Sequence, residues 1–293
     1  VFTSTRSLAT LAITLLIAGC SFTPASIKPA PPAASNPAAA AATPAPADPP
    51  PVAGQPNTAN LTASFTALAE HIPGEVGITI TDGQQTLQFG TWDTGPAWST
   101  IKVPLAIAAT RHDPNTASLI ERAITASDNA AADELWASLG DPAAAAAAVH
   151  QVLTDGANPD VYVQAEQIRP PYSPYGQTIW AQADAARFAW TLPCIPDADP
   201  VLAQMRNIAS GQQWGLAALD NTATKGGWGP DPDGNYLARQ IGVYQTETGA
   251  LGLAIATKPD DGTFATATSI LNNLANWITQ NIAELPGAGC TAV

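Results

Sequence analysis

Residues 98–105 read Trp98-Ser99-Thr100-Ile101-Lys102-Val103-Pro104-Leu105, and the rest of the chain is best read outward from them. Short strand-like runs come before this stretch, helical segments follow it, and strands return afterwards. Ser99 and Lys102 stand three residues apart, and the apolar run Val103–Ala109 predicts a buried helix. Positions i and i+3 share a helix face, so the lysine amine is expected within reach of the serine hydroxyl. A serine hydroxyl is a poor nucleophile until an adjacent base takes its proton. A lysine becomes that base when burial or a neighbouring cation lowers its pKa. Pro96 suits a helix entry, which sets Ser99 near the free backbone N–H groups at the positive end of the dipole. Alone, Ser-x-x-Lys is a weak signal, since most matches are two exposed residues on an ordinary helix face.

Composition narrows the classes. The chain has 293 residues, room for one large domain or two small ones. A formal charge of −13 argues against nucleic-acid binding, which needs a basic surface. Hydrophobic residues make up 46%, enough for a sizeable core.

The N-terminal segment reads as a targeting signal, with Arg6 as its positive region and Leu8–Ala18 as a short apolar run. It ends in Ile17-Ala18-Gly19-Cys20, which resembles the lipobox of bacterial lipoprotein signal peptides. That resemblance implies cleavage before Cys20 and a lipid on its sulfur; the alternative is a plain secretory signal. Residues 20–57 are rich in proline and alanine and too poor in large apolar side chains to bury a core. They are expected to form an extended tether. The expected organisation is therefore a signal peptide at 1–19, a tether at 20–57 and one folded domain at 58–293. The expected location is the outer face of the cytoplasmic membrane. Setting Cys20 aside leaves Cys194 and Cys290, an even pair suited to an oxidising compartment. Whether they approach closely enough to bond is open. No cysteine or histidine spacing suits zinc, and no cofactor is called for.

Within the domain, Leu61, Phe65 and Leu68 recur at helical spacing after the capping candidates Asn57 and Thr58. Val76–Ile80 alternates like a strand, Asp82-Gly83 signals a hairpin turn, and Thr86–Phe89 returns. The middle is helical at Ser118–Ala126, Ala130–Leu139 and Pro142–Leu153. Residues Asn158–Gln177, with prolines at 159, 170, 171 and 174, read as a long irregular loop. Helices resume at Ala183–Leu192 and Pro200–Ile208. Strands are expected at Leu219–Thr224, Leu237–Gln245 and Leu251–Thr257, and a last helix at Ala265–Ile282. The fold class is α+β, an α/β sandwich: one antiparallel sheet takes strands from both ends of the domain, and the middle forms a helical lobe.

Two further motifs complete the pattern. Ser127-Asp128-Asn129 lies in a break between helices, and Lys225-Gly226-Gly227 ends a strand candidate. Each has a structural reading as well, a helix cap for the first and a strand leading into a turn for the second. In this order and context the chain resembles the class A β-lactamases and penicillin-binding proteins, over roughly Thr58 to the C-terminus. Gln213-Trp214-Gly215-Leu216 and Lys225-Gly226-Gly227-Trp228 resemble a lipoprotein branch of that superfamily. The resemblance implies a five-stranded antiparallel sheet with terminal helices, and Ser99 as nucleophile with Lys102 as candidate acylation base. It also implies an oxyanion hole from the backbone N–H groups of Ser99 and Trp228, beside Gly227. By the same resemblance Ser127 relays a proton to the leaving amine and Asn129 binds Lys102 and a substrate amide. Lys225 supplies positive potential for Ser127 and a substrate carboxylate, and Asp128 fixes the turn.

Two departures stand out. Gly226 replaces the threonine or serine whose hydroxyl would bind a substrate carboxylate. Arg239 matches by pattern an arginine that serves the same carboxylate; the alternative is a strand arginine facing solvent. Glu166, in Gln164-Ala165-Glu166-Gln167-Ile168-Arg169-Pro170, is the candidate for activating the deacylating water. Pro170 stands where the resemblance expects asparagine, so the alternative is a solvated carboxylate paired with Arg169. The expected partners are a β-lactam or peptidoglycan-peptide-like small molecule and a membrane reached through Cys20; the expected state is monomeric. Three functions remain in play: a β-lactamase-like hydrolase, a penicillin-binding protein that deacylates slowly, and a silent envelope protein.

Overall fold

The computed structural model describes residues 57–282 and 285. The signal segment, Cys20, the tether up to residue 56 and Cys290 lie outside the described residues. The chain divides into two units, Val1–Pro49 and Pro50–Val293, and the description concerns the second.

Helix α1 (Thr58–Ala69) starts at Asn57, whose side chain accepts from the Asn60 N–H. The hairpin β1 (Gly74–Thr81) and β2 (Thr86–Gly90) follows. Its turn is closed by the Asp82 carboxylate, which accepts from the N–H groups of Gln84 and Gln85 at 2.9 and 2.7 Å. After β3 (Thr94–Pro96) and a 3₁₀ turn (Trp98–Ile101) come α2 (Lys102–His112), α3 (Ala117–Thr125), α4 (Asn129–Ser138) and α5 (Pro142–Asp155). Beyond the long loop lie β4 (Ile179–Ala181), α6 (Gln182–Thr191) and α7 (Asp199–Met205). The chain returns to the sheet through β5 (Thr222–Pro230), β6 (Tyr236–Gln245) and β7 (Ala250–Pro259), and ends in α8 (Phe264–Asn281).

The sheet order is β2-β1-β7-β6-β5 and every pairing is antiparallel. Alternation along β7 sorts its side chains between two layers. Leu251, Leu253 and Ile255 join the apolar cluster shared with α1 and α8, which includes Leu61, Ile270, Leu274 and Trp277. The opposite face carries small residues, because α6 lies directly on it. A Cβ on Gly252 would sit 2.1 Å from the Ala186 carbonyl oxygen. The larger cluster fills the helical lobe around α2, whose residues Lys102–Ala109 are all buried.

Two features differ from the sequence expectation. Strand β5 begins at Thr222 rather than Leu219 and runs on through Lys225-Gly226-Gly227 to Pro230, so the motif sits inside a strand. Gly226 and Gly227 suggest a strand end leading into a turn, yet they and Gly229 lie within the strand and are required by close neighbours described below. The second is the two-stranded sheet of β3 and β4, in which Gly95 faces Trp180. Each of its strands is three residues long, too short to leave a periodic signal. Cys194 is disulfide-bonded, while Cys290, its expected partner, lies outside the described residues.

Candidate active site

Ser99 lies in the 3₁₀ turn between β3 and α2, and three contacts hold that turn in place. The Ala97 N–H donates to the Thr178 carbonyl at 2.8 Å, and the Thr100 hydroxyl donates to the Ala97 carbonyl at 2.6 Å. Edge strand β5 presses against the turn. A Cβ on Gly227 would meet the Ser99 nitrogen at 2.7 Å, and one on Gly229 would meet the Trp98 ring at 2.4 Å. Trp98 itself has φ of 49°, a left-handed conformation that a bulky residue adopts only where its surroundings enforce it. Its ring is wedged beneath Gly229, meets Tyr172 edge-on at 5.1 Å and has the Arg169 guanidinium over it at 5.8 Å.

Lys102, the first residue of α2, is 1% exposed. Its amine donates to the Ser127 carbonyl at 2.6 Å and the Asn129 side-chain oxygen at 2.7 Å, with the Ser127 hydroxyl at 3.4 Å. Burial lowers its pKa from 10.5 to about 8, against the opposing pull of Asp133 and Asp128. A shift in this direction raises the share of free amine near neutral pH, as a general base requires.

Ser127 sits at the α3–α4 junction with φ of 56°. Asp128 caps α4 by accepting the Ala131 N–H at 3.1 Å and pairs with Arg122 at 2.7 Å, so it holds the junction. Lys225 reaches Ser127 from β5, donating to its hydroxyl at 2.9 Å and to the Gly226 carbonyl at 2.7 Å. Lys225 is fully buried; burial first, and the nearby Lys102 second, push its pKa well below the ordinary lysine range. Because the Ser127 oxygen accepts from lysine, its own proton remains available to a leaving group.

Lys102, Ser127 and Asn129 border a cleft of about 390 Å³ that also exposes Ser99, Trp228 and Asp133, with Lys225 behind its wall. Among the described residues the Ser99 hydroxyl has no hydrogen-bond partner, so the expected Lys102–Ser99 contact is not made here. Catalytic hydrogen bonds of this kind commonly tighten only around bound substrate. Asp133 went unnoticed in the sequence, although it lies four residues beyond Asn129 on the same face of α4. One of its carboxylate oxygens accepts from the Tyr175 hydroxyl at 2.5 Å and the Ser173 hydroxyl at 3.0 Å.

Two expected site residues stand elsewhere. The Glu166 side chain is exposed, lines no part of the cleft and makes no ion pair with Arg169. Arg169 turns to Trp98, Tyr172 and the Pro230 carbonyl instead. Arg239 neither lines the cleft nor faces solvent: it is 1% exposed. It donates to the carbonyls of Gly95, Pro96 and Trp180 at 3.0–3.3 Å and lies 5.1 Å from the Trp92 ring centre. Burial brings its pKa down to about 9, which leaves it cationic at neutral pH. It therefore clamps β3 to β4 just ahead of the nucleophile turn. Gly226 is explained by Trp214, whose ring would lie 2.7 Å from a Cβ at that position.

No family model matches the chain, and no curated protein matches it in sequence. Solved structures do match. A β-lactamase from Streptosporangium roseum superposes with a TM-score of 0.60 at 18% identity, over 78% of this chain and 100% of that one. A class A β-lactamase from Bacteroides cellulosilyticus gives 0.63 at 13% identity, over 77% and 98%. A β-lactamase from Xanthomonas campestris gives 0.59 at 18%, over 77% and 98%. The chain thus has the fold of the class A β-lactamases.

Proposed function

We propose that the chain is a serine hydrolase of the β-lactamase type, acting through an acyl-enzyme at Ser99. One observation carries this reading: Lys102, Ser127, Asn129 and Lys225, from three separate stretches of sequence, form one hydrogen-bonded cluster beside Ser99. In the proposed cycle the Lys102 amine takes the Ser99 proton and Ser99 Oγ attacks the scissile carbonyl. The oxyanion lies against the Ser99 and Trp228 N–H groups, where fixed donors stabilise developing charge. Ser127 passes its proton to the leaving nitrogen and is reprotonated from the lysine side. The Asn129 oxygen is engaged by Lys102, which leaves its amide N–H groups free for the substrate. Water then releases the acyl group.

The exposed position of Glu166 favours a second reading, in which the acyl-enzyme forms and persists as in a penicillin-binding protein. The Ile17-Ala18-Gly19-Cys20 motif supports a lipid anchor at Cys20 and a place on the outer face of the cytoplasmic membrane. Incubation with a fluorophosphonate tests the nucleophile directly. A single adduct on Ser99 by intact-mass and peptide analysis, absent in Ser99→Ala, is expected. Folded protein left unlabelled would return the chain to the silent-scaffold reading. Time courses with a penicillin separate turnover from a persistent adduct.

A further inference from the structure

The charges around the cleft do not suit an anionic substrate. Lys102 is buried, with all its nearby oxygens supplied by Ser127 and Asn129. Lys225 lies fully buried behind Ser127 and is tied to that hydroxyl and to a carbonyl. Arg239, the further cation expected to meet a substrate carboxylate, is enclosed by carbonyls and indole rings on the β3–β4 side. At Gly226 the direction in which a side chain would project is filled by the Trp214 ring. Trp214 in turn packs edge-on against Trp228 at 5.9 Å, and Trp228 stacks on Phe264 at 5.2 Å. Residue 226 therefore offers the cleft no hydroxyl donor, and the wall beside it is the Trp228 indole, backed by Trp214 and Phe264.

The opposite wall adds a negative charge. Asp133 is exposed, and both hydrogen bonds it accepts go to one oxygen, Oδ1. Tyr172, Tyr175, Trp228 and Tyr236 complete a largely aromatic surround. A carboxylate entering this cleft would lose water and face Asp133, while Arg169, the cation packed on the cleft-lining Trp98 and Tyr172 rings, is engaged by those rings and by the Pro230 carbonyl.

From these walls we infer that the substrate is an ester or amide without a free carboxylate next to the scissile bond, with apolar or aromatic groups beside the acyl carbon. The inference rests on the proposed acyl-enzyme at Ser99 and names the kind of compound that reaches it. No step beyond that cycle is needed. The bond broken is an acyl C–N or C–O bond, and Ser127 gives its proton to the departing nitrogen or oxygen.

Benzylpenicillin and its methyl ester share one lactam and differ by a single charge, which makes them a direct probe. Acylation of Ser99 by each is followed by intact mass in quenched time courses, on protein whose Ser99 takes a fluorophosphonate. The ester is expected to acylate at least about tenfold faster than the free acid. Asp133→Asn keeps an oxygen for Tyr175 and Ser173 but removes the charge. Compared on the high-pH plateau, it is expected to raise the ratio of the free-acid rate to the ester rate severalfold. A free acid that reacts as fast as the ester overturns the inference, as does a lack of adduct from both compounds. An Asp133→Asn variant with an unchanged ratio removes Asp133 from the argument and counts against it. Loss of fluorophosphonate labelling in folded protein is a separate result, which strikes the acyl-enzyme reading itself.

Discussion

The lysine cluster beside Ser99 and the loop that carries Glu166 treat distance along the chain in opposite ways. On one side, Lys102, Ser127 and Lys225 are up to 123 residues apart in numbering yet meet around one hydroxyl. On the other, Glu166 and Arg169 are three residues apart and diverge, the carboxylate to solvent and the guanidinium to Trp98 and Tyr172. Burial accounts for the contrast. Lys102 and Lys225 project from α2 and β5, elements fixed by apolar packing, so an amine with its carbon stem enclosed has one place to go. Glu166 sits on a surface loop where water offers a better partner than an exposed ion pair. Spacing along the chain therefore predicts a site only where rigid elements carry both residues.

Breaking the converging side should have the largest effects. Ser99→Ala is expected to abolish acylation, and Lys102→Ala to slow it by about 10³-fold or more, read as adduct formation by intact mass. Next comes the packing that seats the nucleophile. In Gly227→Ala the new methyl would meet three backbone atoms of the Ser99 turn below 3.0 Å. Overpacking typically costs about 1–3 kcal/mol, and rigid backbone neighbours put this case at the upper end. A melting temperature lower by several degrees, measured by circular dichroism, is the expected outcome. On the diverging side, Glu166→Gln is expected to leave acylation and deacylation within about twofold of wild type. A trapped adduct in that variant would mean that the loop closes over the cleft and that the contrast fails.

Much of this was legible before the structure. The alternation at Val76–Ile80, the Asp82-Gly83 turn and the apolar face of α8 all report one-dimensional periods, and each element lies within a few residues of its expected bounds. The three motifs were legible because each is a run of no more than four residues. Strand β5 was underestimated because glycine reads as a turn, whereas here it admits Trp214, the Ser99 backbone and Trp98 in succession. Arg239 was misplaced because alternation shows the face of a strand and not what covers that face. Asp133 had a signal, its i+4 spacing from Asn129, but its meaning depends on Tyr175 arriving from a loop 42 residues away.

The central claim is that a buried amine, Lys102, activates Ser99, and the pH dependence of Ser99 acylation tests it most directly. Burial lowers the Lys102 pKa from 10.5 to about 8, so the base form grows through that range as pH rises. Quenched-flow intact-mass measurements from pH 6 to 10 are expected to show the acylation rate rising about tenfold per unit and levelling above about 8. Asp133→Asn should move the midpoint to lower pH, since Asp133 raises the Lys102 pKa. A rate indifferent to pH, or an adduct carried by any residue other than Ser99, would contradict the account.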